Sequence, residues 1–249
     1  MSVRIQADRK VTDTLLVKCH EVDSAKRLKP AAFMDMAQEM AYQAAAAMHF
    51  GYDELISVGM AWVLSRMHFR FLEKPLWGET IEIRTWHRGA SGPFFIRDFE
   101  VLGNDGRRMA EATSSWVVID VASRRMARPE EVLPDDDTAC HDSAIGTPAP
   151  RVMMPRGKEP SFVMTHKVAY SDIDLVGHTN NARYVSWAMD CLGFGDGAGD
   201  VDEVEIVFNH ETVPGDEVSL YRLDDGGATY IEGITAGRQA FCVRFTTHK

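Results

Sequence analysis

The chain has 249 residues, enough for one large domain or two of ordinary size. Its formal net charge of −10 argues against nucleic acid as a partner, since phosphates need a basic face. No run of about 18 apolar residues is present to cross a membrane as a helix. Cys19, Cys140, Cys191 and Cys242 are scattered without Cys-x-x-Cys spacing, so neither a zinc site nor a disulfide framework is indicated. The first ten residues contain no apolar stretch resembling a signal peptide. The expectation is a reduced, cytoplasmic protein with no metal and no cofactor.

In chain order, Thr12 to His20 is apolar enough for a strand. Pro30 to Phe50 reads as a long helix, with proline in its first turn and Gly51 ending it. Phe33, Met34, Ala37, Met40, Ala41 and Ala44 recur at helical spacing and form its buried face. Strands are predicted at Ala61 to Leu72, Thr80 to His87, Phe94 to Leu102 and Arg108 to Val121. Six of the ten prolines then fall between 129 and 160, a segment that also holds Asp135, Asp136 and Asp137. Such a segment cannot continue a sheet and reads as a linker running over the surface. Beyond it the order repeats: a strand at Phe162 to Tyr170, and a shorter helix from about Asn181 to Leu192. Strands at Val204 to His210, Glu217 to Leu223, Thr229 to Thr235 and Ala240 to Thr246 complete the second half. The loop from Gly193 to Gly199 is glycine-rich without the dinucleotide fingerprint.

The chemistry concentrates at the entrance to the second helix. Asp172, Asp174 and His178 approach it, and Asn180 or Asn181 is placed to cap it. First-turn N–H groups near Ala182 and Arg183, together with the helix dipole, favour developing negative charge. Acid, histidine and positive helix end in one place suit hydrolysis of an acyl compound. No Gly-x-Ser-x-Gly is present, which argues against a serine hydrolase of the α/β type.

Three segments carry a resemblance. Asp172-Ile-Asp-Leu-Val-Gly-His-Thr-Asn-Asn-Ala-Arg-Tyr184 resembles the Asp-x-Asp-x-x-x-His-x-Asn-Asn-x-x-Tyr segment of hotdog-fold thioesterases, particularly plant-type acyl-ACP thioesterases. Pro75-Leu-Trp-Gly-Glu-Thr-Ile-Glu-Ile-Arg-Thr-Trp86 and Ala112-Thr-Ser-Ser-Trp-Val-Val-Ile-Asp-Val-Ala-Ser-Arg-Arg125 are similar to two further segments of that family, in the same order. The resemblance is to a bacterial member, without the organelle-targeting extension of plant enzymes.

The resemblance implies an α+β fold of two tandem hotdogs, each a long helix wrapped by an antiparallel sheet. Residues 1–128 would form an N-terminal hotdog with the acyl pocket and a degenerate site. Residues 129–160 would form the proline-rich linker, and 161–249 the catalytic C-terminal hotdog. Laying the halves on one another puts Asp23 on Asp174, Arg27 opposite His178 and Lys74 opposite Glu211. The expected catalytic set is Asp174, His178, Glu211 and Asn180. Partial burial beside apolar acyl-binding residues is expected to raise the pKa of Glu211, suiting it as a general base. The acyl chain would lie on Phe33, Met36, Met40, Trp62 and Met67. An acidic acyl carrier protein would dock on Arg124 and Arg125, or on Arg151 and Arg156.

The implied reaction is hydrolysis of acyl-ACP to free fatty acid and ACP, which ends fatty-acid chain elongation. Acyl-CoA hydrolysis and a silent acyl-thioester-binding protein are the alternatives, and a homodimer is compatible with either. One departure stands out: the family carries Asn two residues before its histidine, whereas this chain has Val176.

Overall fold

A computed structural model describes residues 3–133, 139–193 and 201–247. Asp135 to Asp137 and most of the glycine-rich loop therefore lie outside the described residues. The backbone forms β1 (Arg4–Ile5), β2 (Val11–Leu16), α1 (Pro30–Ala47), α2 (Tyr52–Ser57), β3 (Met60–Phe71), β4 (Thr80–Ser91), β5 (Phe94–Gly103) and β6 (Arg108–Asp120). There follow α3 (Pro129–Val132), β7 (Ser161–Lys167), α4 (Asn181–Asp190), β8 (Glu203–Phe208), β9 (Glu217–Asp225), β10 (Ala228–Thr235) and β11 (Arg238–Thr246).

The predicted strands and both main helices are present, with ends displaced by a few residues. The first helix stops at Ala47, before the predicted Phe50. His49 there takes φ 57°, and Gly51 opens a further short helix, α2, that the sequence reading did not include. The strand predicted at Val204 to His210 stops at Phe208 as β8, which leaves Glu211 in the following loop.

All eleven strands join one antiparallel sheet in the order β1-β2-β4-β5-β6-β3-β8-β11-β10-β9-β7. Reading outward from the β3–β8 seam, β3-β6-β5-β4-β2 mirrors β8-β11-β10-β9-β7. The seam is a continuous ladder from Arg66↔Val207 to Arg70↔Glu203. The same relation appears at the helix entrances. Asp23 N–H donates to Arg27 O at 2.9 Å, as Asp174 N–H does to His178 O. Leu28 N–H donates to Pro75 O at 2.8 Å, as Thr179 N–H does to Thr212 O at 2.9 Å.

Alternation along the strands sends one set of side chains under the helices and the other outward. Phe33, Met34, Met40, Met67, Phe69, Ile83 and Phe99 from the first half share one core with Tyr184, Val185, Val204, Ile206 and Phe241 from the second. A single core across the seam is what makes the two helices neighbours: α1 packs on α4. Gln38 Nε2 then donates to Asn180 Oδ1 at 3.2 Å, and Arg183 pairs with Asp35. The proline-rich segment straps the outer sheet face. Cys140 N–H donates to His87 O at 2.7 Å, Ala144 N–H to Asp98 Oδ2 at 2.8 Å, and Trp86 Nε1 to Asp142 O at 2.9 Å. Val152 packs with Val207 and Cys242.

Candidate active site

The loop between β7 and α4 is shaped by Asp172 and Asp174. Asp172, 5 % exposed, accepts from His166 Nε2 at 2.9 Å and from Ala169 N–H at 2.8 Å. Burial works against its ionisation, but these two bonds outweigh it and hold the carboxyl below its usual range. Asp174 Oδ1 accepts from Val176 N–H at 3.0 Å, and Gly177 (φ 82°) supplies the left-handed turn that returns the chain to His178.

Thr179 and Thr212, the residues after His178 and Glu211, are tied together. Their hydroxyls lie 2.6 Å apart, and Thr179 N–H donates to Thr212 O. The buried Tyr184 hydroxyl meets Thr212 Oγ1 at 3.0 Å and accepts from Thr212 N–H at 3.1 Å. A buried hydrogen-bonded network of this kind fixes the positions of its neighbours. It leaves His178 Nδ1 3.5 Å from Glu211 Oε2.

Glu211 has a second partner. Arg124, in the turn after β6, grips it in bidentate fashion, Nη2 to Oε1 at 2.7 Å and Nη1 to Oε2 at 3.1 Å. Bonding from Arg124 lowers the Glu211 carboxyl below the usual carboxylate range; partial burial opposes this and His178 adds to it. The expected upward shift is thus reversed, because a guanidinium contact outweighs desolvation at a half-open site. Arg124 serves here as a partner of Glu211. Arg125 beside it and Arg151 and Arg156 on the strap are exposed.

His178, Glu211 and Arg124 line a cleft of about 520 Å³ shared by both halves. Leu175 and Val176, which is 47 % exposed, border it on the second half. Phe50, Trp62, Phe95 and Trp116 of the first half form an aromatic lining, with Trp62 edge-on to Phe50 and Phe95 at 5.2 and 5.0 Å. Gln38 and Tyr42 of α1 also line it. Further along β4 and β5, His87 and Arg97 form a polar patch. Arg97, partly buried, has Thr85 Oγ1 3.3 Å from Nη1, and desolvation pushes its guanidinium down to about 10.

Several expectations need correcting. Of the five residues expected to hold an acyl chain, Trp62 lines the cleft. Phe33, Met36, Met40 and Met67 are packed in the core between α1 and the sheet. Asp174 and Asn180 are not among the described residues of the cleft wall. Asn180 caps α4: its Oδ1 accepts from Ala182 N–H at 2.8 Å. Arg183 N–H donates to Asn180 O at 2.9 Å, so the first-turn N–H groups expected to meet an oxyanion are already engaged.

Gln38, Phe95, Trp116, His87 and Arg97 were missed. Arg97 carried a readable signal, for it sits in phase with Phe95 and Phe99 on the core side of β5. Among the described residues, His68, Glu203 and Glu205 bring possible metal ligands within 4.8 Å of one another. His68 Nε2 already bonds Glu203 Oε1 at 2.7 Å and Glu205 pairs with Arg244 at 2.7 Å, on the outer sheet face.

Two helices on one wrapped sheet, with an acid–histidine pair opening on an apolar cleft lined from both halves, define a hotdog protein with the groundwork for ester chemistry. Residues 8–135 match the acyl-ACP thioesterase N-terminal domain, and residues 156–237 match the acyl-ACP thioesterase C-terminal domain. The chain belongs to the acyl-ACP thioesterase family. It is 23% identical over 226 residues to an oleoyl-acyl carrier protein thioesterase, chloroplastic, of Coriandrum sativum, a match covering 80% of this chain and 55% of that one. The chain spans about half the length of the curated relatives it matches. An acyl-ACP thioesterase from Bacteroides thetaiotaomicron superposes with a TM-score of 0.80 at 24% identity, over 97% of this chain and 98% of that one. The 12:0-ACP thioesterase from Umbellularia californica gives 0.82 at 19%, over 96% and 97%. At these identities the likeness establishes the hotdog fold.

Proposed function

We propose that the protein hydrolyses acyl-ACP thioesters to free fatty acid and ACP, with one active site per chain. The observation that carries this reading is the Glu211–His178 pair lining the same cleft as a cluster of aromatic side chains. Glu211, ionised at neutral pH, accepts a proton from water as the water oxygen bonds to the thioester carbonyl carbon. The tetrahedral intermediate collapses as the C–S bond breaks. Sulfur leaves with the electron pair and takes up a proton relayed through His178, giving a carboxylic acid and a thiol. Gln38 lines the cleft and spends one amide N–H on Asn180 Oδ1; its second N–H is the donor we assign to the developing oxyanion. Asp174 acts by holding the turn that presents His178.

Residues 1–128 then supply the acyl-binding wall through Phe50, Trp62, Phe95 and Trp116. Residues 161–249 supply the acid and the histidine, and 129–160 join them. The carrier is assigned from the family match, with the exposed Arg125, next in sequence to the cleft-lining Arg124, as its contact. No helix among the described residues is long and apolar enough to cross a membrane.

The test is steady-state hydrolysis of acyl-ACP and acyl-CoA bearing the same acyl groups. A higher kcat/KM on acyl-ACP, abolished in Glu211→Gln, is the expected result. A preference for acyl-CoA would remove the carrier assignment, and full activity in Glu211→Gln would remove the site.

A further inference from the structure

Arg124 occupies a backbone position that an arginine has no local reason to hold. Its φ is 58°, in the left-handed region where glycine or asparagine is the usual choice. The turn around it is firmly made. Asp120 Oδ1 accepts from Ser123 N–H and Oγ–H, both at 2.7 Å, and Arg124 N–H donates to Asp120 O at 2.9 Å. A β-carbon at this φ carries a strain that a glycine would avoid. What the side chain gains is the two-point contact with Glu211, across 87 residues of sequence and from one half of the molecule to the other.

Building on the reading of Glu211 as the base, we propose that Arg124 is a positioning residue: the first half reaches over the cleft mouth to aim the second half's carboxylate and keep it ionised. Three charged or titratable groups face that carboxylate. Arg124 comes from the turn after β6, His178 from the loop before α4, and the Tyr184 phenol from α4 itself. Arg124 alone is a permanent cation, so it holds Glu211 in the charged form whether or not His178 carries a proton. The planar fork also fixes the orientation of both carboxylate oxygens, which a lysine cannot do.

The sign follows directly. A cation beside a carboxylate lowers its pKa, so removing it raises the pKa. Activity that needs ionised Glu211 is then lost at a higher pH as the solution is acidified. Arg124→Gln should move the acidic limb of the kcat/KM profile upward by about one unit, within the range for a lost opposite charge. Arg124→Lys should show a smaller shift with a lower kcat. Arg124→Asn suits the left-handed turn and should leave the melting temperature level or higher, yet shift the limb as Arg124→Gln does. A residue that only stabilised the turn would give the reverse pattern.

The Glu211 carboxyl should be followed directly by its side-chain 13C shift against pH, in the wild type and in Arg124→Gln. The resonance is assigned by its loss in Glu211→Gln. An upward-shifted titration in Arg124→Gln supports the inference. An unchanged titration midpoint overturns it, whatever the activity. Full activity in Glu211→Gln overturns instead the reading on which it rests.

Discussion

Glu211 and Asp174 are both carboxylates near His178, yet they stand in different chemical positions. Glu211 lines the cleft, paired with Arg124 at 2.7 Å and 3.5 Å from His178 Nδ1. Asp174 spends one oxygen on the Val176 N–H of its own turn. Glu211→Gln should therefore lower kcat by about 10²–10⁴-fold, the range for a lost acid–base group. Asp174→Asn, which keeps an acceptor for Val176, should cost markedly less. Asp23→Asn, at the equivalent turn of the first half, should leave kcat unchanged. Initial rates on one acyl-ACP rank the three, and a loss at Asp174 equal to that at Glu211 would return Asp174 to the chemistry. Asp172 is a stability matter. Its pKa is depressed in the fold, so its contribution is present above the unfolded value near about 3.9 and is lost as pH falls through the folded value. Denaturant titrations at pH 7 should find Asp172→Asn less stable by about 1–3 kcal/mol, the cost of a buried bond to a charged group. That difference should shrink as pH drops below about 4.

At the scale of elements, α1 shows what periodicity reveals and what it conceals. The 3.6-residue repeat marked Phe33, Met34, Ala37 and Met40 as inward, and they are buried. It could not say which inward residues meet the sheet and which meet a void. Gln38, Ala41, Tyr42 and Ala45, one step around the helix, are the ones on the cleft. Met40, expected to bind the acyl chain, is on the core side and does not line the cleft. Met40→Ala should cost about 2–5 kcal/mol of stability with little change in the acyl length preferred, as for other buried Met deletions. Trp62→Ala should do the converse: the preferred length shifts, since each methylene's fit is worth about 1–3 kcal/mol. A series of acyl-ACPs of increasing length, paired with thermal melts, separates the two outcomes. The strands were legible because alternation is a local signal. The short helix α2 was not, because six residues, Tyr52–Ser57, present less than two turns of pattern.

On the scale of the whole molecule, what stayed hidden was contact across long separations. His178 and Asn180 were visible as a local cluster, and the match of Glu211 with Lys74 was visible by laying one half on the other. The Arg124–Glu211 clamp and the cleft's aromatic wall needed the sheet to close first. The seam between β3 and β8, and the core that runs beneath it, bind the halves into one unit of unfolding. Calorimetry should show a single transition whose van't Hoff and calorimetric enthalpies agree. Two resolved peaks would mean that each half holds its own core.

The mirrored strand order has one more consequence. In a symmetric pair of identical subunits, every substitution is made twice, so a residue that improves one cleft alters the other as well. Joining both halves in one chain lifts that constraint. Lys74, half of an ion pair with Asp202 at 3.5 Å, stands where its counterpart is the acid Glu211. Arg27, bonded to Asp23 at 3.2 Å, stands where its counterpart is His178. Paired charges occupy the first entrance, where the second holds the acid and the histidine.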